Sequence, residues 1–445
     1  MRLQLSPPSA GAGVRQRLGA AACMLLAGSL PAAAQVPVAA GWQLEATGLL
    51  YGEQARARVV EPMGRVTRLF ANGRALSLGL AVDAITGASP TGALPSGQVQ
   101  TTTSASGATT TSSSANQLPT HPFQDLRTAA DVSWVEPLGT LLSATTSAHY
   151  SREQDYASLG GGLKSSIDLL GRRVTLTVGG GYNRDRVFPT GGTPAGLAPD
   201  SGLRVAGENP KEVATGLVGL AHVVNRRWLL GVTASESRER GYLTDPYKVV
   251  SLIDPATLLP VAQVTEKRPT TRRRDDVLGS SVYHLQHDIL YLNYRYYWDD
   301  WGVRSHTLDF KLRHDLGPAS WVQPHVRVYG QTPAWFFVYG LTHGPPLPEF
   351  ASADERLGPL RTTTFGGTYG VHVPGTRGEF TLRAEFMYQW LVGRPPEAAA
   401  TSGGGGGERD HLRGAIAAEG EGAEGNGRHF GTNIGTLLIG YTVPF

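Results

Sequence analysis

The sequence predicts an all-β fold, a transmembrane antiparallel β-barrel of about 16 strands with short periplasmic turns and long extracellular loops. Three observations predict it. Apolar and polar residues alternate with period two in runs of about ten residues. The connections between these runs are short and long in turn. The eight tryptophans avoid the middles of the runs.

In chain order, a leader comes first. Arg15 and Arg17 precede an apolar run from Leu18 to Leu30, and Ala32, Ala33 and Ala34 supply small residues before Gln35, the order of a secretory signal peptide over residues 1–34. The run is shorter than the roughly 20 residues of a membrane helix. Cys23, the sole cysteine, follows Ala20, Ala21 and Ala22 and lacks the large aliphatic residue usual three positions before a lipidated cysteine. Residues 35–445 are therefore expected as one exported barrel domain without a thiol, which excludes thiolate nucleophiles and Cys-ligated zinc. Lysine and arginine number 40 against 37 acidic residues, and Arg2, Arg15 and Arg17 lie in the leader. The remainder balances (40 − 3 = 37), so no basic field exists for nucleic acid.

The clearest strand is Leu290 to Asp299. Leu290, Leu292, Tyr294, Tyr296 and Trp298 share one face, and Tyr291, Asn293, Arg295, Tyr297 and Asp299 the other. The same pattern sets Leu308, Phe310 and Leu312 against Asp309, Lys311 and Arg313, and Phe380 to Trp390 against Arg383 and Glu385. Phe365, Tyr369, Val371 and Val373, and likewise Leu142, Ala144, Ala148 and Tyr150, form two more apolar faces. Strands start near Trp42, Val59, Ala75, Leu126, Leu141, Leu159, Val174, Val213, Trp228, Val277, Leu290, Thr307, Val322, Thr363, Phe380 and Gly435. Short turns fall at Asn72–Arg74, Glu136–Gly139, Gly171–Arg173, Asn225–Arg227, His287–Asp288, Gly317–Ser320 and Pro374–Arg377. Long loops fall at 85–124, 188–211, 241–274, 332–361 and 392–432. A soluble sandwich also has one polar face, but nothing in it segregates short from long connections.

Trp42, Trp134, Trp228 and Trp321 sit beside the short-turn rim and Trp298, Trp301, Trp335 and Trp390 beside the long-loop rim, as two aromatic girdles require. The chain ends on a further alternating run, Leu437, Ile439, Tyr441, Val443 and Phe445. Tyr441, Val443 and Phe445 resemble the terminal signal that the barrel-assembly machinery reads in outer-membrane substrates.

Asp83-Ala84-Ile85-Thr86-Gly87-Ala88-Ser89-Pro90-Thr91-Gly92-Ala93, at the end of the third strand, resembles a motif of an uncharacterised bacterial family, domain of unknown function 3570. The resemblance spans most of residues 42–445. It implies an outer-membrane barrel and carries over no catalytic residue.

The candidates for chemistry are few. Asp83 with Thr86, Ser89 and Thr91 offers oxygens to a cation, yet a single carboxylate falls short of what calcium takes, and a capped turn at the membrane exit explains the residues better. His284 and His287, three apart on a strand, face opposite ways. Arg272, Arg273 and Arg274, followed by Asp275 and Asp276, read as a solvated loop run, with lipopolysaccharide phosphates as the alternative ligand. Gly160–Gly162 and Gly179–Gly181 mark a thin wall, there either for an inward-folded loop or for strand twist. Thr101–Asn116 and the stretch from Ser402 to Gly427 are low-complexity and expected to be mobile. No GxSxG or HExxH occurs.

These readings give an integral outer-membrane barrel that is a channel or porin-like pore for small polar solutes. Arg295, Asp309, Lys311, Arg313, Arg327, Arg383 and Glu385 would line it, and their basic excess predicts a mild anion preference. The alternatives are a non-conducting scaffold for a periplasmic or surface partner, and an outer-membrane hydrolase. Neither a cofactor nor a metal is expected. The partners are membrane lipid and lipopolysaccharide, the assembly machinery and the solutes.

Overall fold

The computed structural model describes residues 40–54, 56–94, 100–103, 109–112, 119–200, 202–392 and 431–445. The leader 1–34 and the stretch from Ser402 to Gly427 lie outside them. Sixteen strands form one closed antiparallel barrel. They are β1 Gly41–Glu53, β2 Arg58–Leu69, β3 Ala75–Pro90, β4 Thr120–Leu138, β5 Leu142–Arg152, β6 Tyr156–Leu169, β7 Val174–Val187 and β8 Asn209–Asn225. The second half comprises β9 Trp228–Gly241, β10 Thr271–His284, β11 Asp288–Asp299, β12 Arg304–Asp315, β13 Ser320–Gln331, β14 Leu360–His372, β15 Glu379–Leu391 and β16 Gly431–Pro444. Each predicted start falls within or one residue ahead of one of them. Neighbours in sequence are neighbours in the wall, and β1 closes the ring on β16 from Gln43–Pro444 to Glu53–Ile434. A closed ring pairs its backbone amides and carbonyls strand to strand, so it has no edge to expose in lipid.

The period-two pattern sorts the side chains as expected. Every strand of the barrel turns at least one large apolar residue outward and exposed, among them Leu50, Val60, Leu80, Leu126, Tyr150, Leu159, Val178 and Val218 in the first half. Val232, Val277, Leu292, Leu308, Val328, Phe365, Phe386 and Ile439 continue the belt through the second half. Leu80 is 68% exposed. In water such a continuous belt would be a large penalty, whereas against hydrocarbon it is the required surface.

Two girdle assignments are corrected. Trp321 shares the inward face of β13 with His325 and Arg327; it is 4% exposed, beneath the Arg313 guanidinium 4.2 Å away. Gly370 on β14 lies opposite it, and its missing side chain makes room for the indole. Trp301 follows β11 and is buried against Phe336, with Arg272 4.2 Å over its ring. Tryptophan count and rim position do not report which side of the wall a ring faces. Strand parity does.

The glycine runs of β6 and β7 serve close backbone approach. A β-carbon on Gly162 would stand 3.1 Å from the Gly180 carbonyl oxygen, and one on Gly181 3.2 Å from that of Gly161. In the long connection after β3, Gln100–Thr103 pairs with Thr109–Ser112 as a two-stranded ribbon.

The loops between β9 and β10 and between β13 and β14 build a second, smaller core. Val249–Ile253 pairs antiparallel with Pro260–Thr265 and parallel with Leu341–Thr342, joining the β9–β10 loop to the β13–β14 loop. Val250, Val264, Ala351 and Ala353 pack between them. Leu243, Trp301, Val303, Ala334, Phe336 and Leu357 form the adjoining cluster.

Candidate functional site: the barrel interior and its outer mouth

The inward residues carry charge, and much of it is matched by opposite charge on the same strand or a nearby one. On β12, β13 and β15 the predicted residues meet around His325. Its Nε2 lies 2.8 Å from Asp309 Oδ2 and its Nδ1 2.5 Å from Glu385 Oε1. Arg327 donates to Asp309 at 2.8 Å, Lys311 stands 3.6 Å from the same carboxylate, and Arg383 donates to Glu385 at 2.7 Å. Gly366 on β14 lies between His325 and Glu385 in the register, so no side chain separates them. Period two places these groups because Asp309 and Lys311, His325 and Arg327, and Arg383 and Glu385 are each two apart on one strand.

Arg295 and Arg313 stand apart from this cluster. Arg295 donates to Asp276 of β10 at 3.0 Å, and Arg313 donates to Asp315 at 3.1 Å while covering Trp321. Five of the seven residues named from the sequence thus converge, and two form separate pairs. Each of the five bases has an acidic partner, and Asp276 and Asp315 offset most of the basic excess that the sequence predicts.

Further matched pairs run round the wall. Arg127 of β4 donates to Asp83 of β3 at 2.5 Å, with Glu61 of β2 3.9 Å away. Arg65 faces Asp131 at 3.7 Å and Lys211 faces Asp185 at 3.9 Å. Asp83 is 1% exposed. Because β3 continues to Pro90, Asp83 is an interior strand residue, and neither the capped turn nor the cation cradle read from the sequence holds. Arg272 pairs with Asp299 at 2.5 Å and Arg274 with Glu239, both inward, whereas Arg273 turns outward to Glu236 at 2.9 Å. The run Arg272–Asp276 is the start of β10, not a solvated loop.

Many of these inward groups are buried, as are Ser151, Ser158 and Thr364. The loops account for that near the outer rim. Lys248, between β9 and β10, donates to the Pro90 carbonyl and reaches Ser89 Oγ at 3.2 Å at the end of β3, six strands round the ring. Such a contact is a chord across the opening. Tyr247 donates to Asp155 in the β5–β6 turn at 2.9 Å, and Arg56 in the β1–β2 turn pairs with Glu355 at 2.9 Å. The two joined loops are tied together by ions: Arg268 donates to Asp354 at 2.7 Å and Arg356 to Asp245 at 2.7 Å, while Glu266 of the same loop accepts from Arg268 at 3.0 Å. Burial alone would raise the Asp354 carboxyl, but Arg356, Lys248 and Arg268 hold it far below the usual carboxylate range. Burial raises Glu266.

Asp125, Glu153 and Asp155, buried near the rim, bring carboxylate oxygens within 4.8 Å of one another, a donor set of the hard type that divalent cations take. Sequence reasoning missed this trio because Asp125 lies on β4 and the others follow β5. It also missed His325, although its parity with Arg327 marks it as inward.

The terminal residues lie as the alternation places them. Phe445 is 69% exposed, and its backbone exchanges hydrogen bonds of 2.7 and 2.8 Å with Trp42. Ile439 and Tyr441 share its outward face on β16.

Comparison with solved structures finds other barrels. OccK3 (OpdO) of Pseudomonas aeruginosa is 9% identical at a TM-score of 0.39, with 92% of this chain and 96% of that one covered. CdiB of Acinetobacter baumannii is 9% identical at 0.45, covering 90% of this chain and 60% of that one. The ferric enterobactin receptor PfeA of Pseudomonas aeruginosa is 11% identical at 0.41, covering 78% and 54%. The chain thus spans a little over half the length of the latter two. No curated protein matches it. The model of the family described as "Protein of unknown function (DUF3570)" matches residues 15–398, the motif Asp83–Ala93 among them, and the chain belongs to that family.

Proposed function

We propose that this outer-membrane β-barrel is a pore for small polar solutes, exported by the leader 1–34 and inserted by way of Tyr441, Val443 and Phe445. The observation that carries the reading is the inward network on Asp309, Lys311, His325, Arg327, Arg383 and Glu385. A barrel of 16 strands is wide enough for an aqueous lumen. Charged groups held by opposite charges on the same or nearby strands stay on the wall and leave the axis to water, and both signs together favour polar solutes over lipids. Because Asp276 and Asp315 offset Arg295 and Arg313, the pore is weakly selective rather than anion-selective. His325 sits between two carboxylates that are themselves paired with Arg327, Lys311 and Arg383, an arrangement that suits a lumen wall better than a hydrolase.

A second reading, a non-conducting scaffold, draws on the loops that meet across the mouth. One experiment separates them. Purified protein in planar bilayers gives discrete, voltage-stable conductance steps if it is a pore. Silence from the parent and from a variant lacking 242–270 and 332–359 would reject the pore.

A further inference from the structure

The motif Asp83–Ala93 has no part in the wall network beyond Asp83, yet its outer half is where the crossing loops land. We propose that Ser89–Leu94 is the seat of a gate whose moving body is the joined pair of loops 242–270 and 332–359, a proposal that rests on the pore reading. Almost every residue of the seat is engaged. Ser89 Oγ and the Pro90 carbonyl accept from Lys248, the Thr91 carbonyl accepts from the Val249 amide at 2.9 Å, and the Leu94 amide donates to Ser251 Oγ at 2.9 Å. Gly92 has φ +90°, and a β-carbon there would stand 2.6 Å from the Val249 carbonyl oxygen and 3.3 Å from Ala353 Cβ. It is glycine both for the left-handed backbone and for that close approach.

The strength of the contacts is uneven, and that makes the loops a body instead of a fixed lid. Within the body lie the three-stranded sheet, the apolar cluster of Val250, Val264, Ala351 and Ala353, the buried Arg268–Asp354 and Arg268–Glu266 pairs, the half-buried Arg356–Asp245 pair, and two backbone hydrogen bonds between Lys267 and Ala351. The second cluster packs it on Trp301 and Val303 of the β11–β12 turn, between the roots at β10 and β13. The β7–β8 loop, next to the root at β9, joins the body through Thr265, which bonds Leu197 and Ala198, and through Arg204, which donates to the Pro246 carbonyl. The far rim from β1 to β6 holds it, among the described residues, by Ser89–Leu94, by Arg56–Glu355 and by Tyr247–Asp155. Its covalent roots are at β9, β10, β13 and β14. The body therefore separates from the far rim as one piece, swinging on those roots, before it comes apart internally. Motion of that kind is hinge closure, in which a few residues at element ends absorb the change.

The test uses Gly92→Leu, whose side chain collides with the Val249 carbonyl, and separately Lys248→Met, which keeps the length and removes the donors. Ser151→Cys, inward on β5 and 2% exposed, reports access to the interior beneath the body. Both seat variants should fold as closed barrels, checked by faster gel migration before boiling. A membrane-impermeant maleimide should label Ser151→Cys at least tenfold faster in either background than alone, and bilayer recordings should show a higher open fraction. Unchanged labelling in both folded variants overturns the seat, whatever the conductance. Faster labelling with no conductance in any variant overturns the pore and leaves a hinged cap over a closed barrel.

Discussion

Replacing Arg295, Lys311 and Arg313 together by Gln removes three positive charges and leaves Asp276, Asp309 and Asp315 in place. An ion on the axis about 10 Å from each would feel roughly 0.4 kcal/mol per charge in water before screening, about 1.2 kcal/mol for three. The Debye length of about 10 Å at 0.1 M cuts this to about 0.5 kcal/mol, and that of about 30 Å at 0.01 M to about 0.9 kcal/mol. Cations gain what anions lose, so the cation-to-anion permeability ratio should rise about 5-fold at 0.1 M and about 20-fold at 0.01 M. Reversal potentials in a tenfold salt gradient, measured on the Gly92→Leu background to hold the mouth open, read the ratio directly. Folding should be near parental, since inward substitutions tune selectivity more than stability. A conducting variant whose ratio does not move, or moves equally at both salt concentrations, would refute the inward placement of these three residues.

Other expectations follow from the same geometry. Phe310→Lys puts a charge on the lipid face and should lower stability in lipid vesicles by about 2–4 kcal/mol, while Asn293→Lys, inward on β11 opposite Asp309, should cost far less; urea unfolding compares them. Tyr441→Ser with Phe445→Ser removes two outward aromatics at about 1–3 kcal/mol each and should reduce the amount recovered in outer membranes; equal recovery makes the terminal pattern incidental. Asp354 has a folded-state pKa below its unfolded value of about 3.9, so its contribution is complete above that pH and declines as pH falls below it. Burial of Glu266 acts with the opposite sign, so the Asp354 part is read by difference: Asp354→Asn should speed hydrogen exchange within Val249–Thr265 at pH 7 and by clearly less at pH 3.

What was legible in the sequence is what has a period. Leu292 and Tyr294 against Asn293 and Arg295 declare strand, face and neighbour at once, because a strand half in lipid must alternate. Short turns then fix the order of strands round the ring. The loop core has no such signature. Leu243 meets Phe336 and Leu357, and Val264 meets Ala351, from two loops with irregular spacing, so nothing along the chain announces these contacts. Strand ends were also hidden. The wall runs to Pro90 and resumes at Thr120, past the level where apolar alternation stops, and that is why Asp83 looked like a turn residue. The wall pairs were half legible. Parity gave their direction, but which acid meets which base depends on register, and register fixed Asp276 to Arg295 and His325 to Glu385.

The closure of β1 on β16 bears on how such a chain reaches its final form. Every other neighbouring pair of the ring is joined by a connection in the chain, whereas Gln43 and Pro444 meet across the whole of it (444 − 43 = 401 residues). In an unstructured chain, bringing together ends some hundredfold farther apart than those of a four-residue hairpin costs about 4 kcal/mol more in closure entropy. The hairpins therefore form first and the ring shuts last. Until it does, the molecule is an open sheet, apolar on one side, with two bare edges that can pair with any other such sheet. Yield is then a race between one intramolecular seam and edge-to-edge association, and it should fall with chain concentration even when every strand is sound.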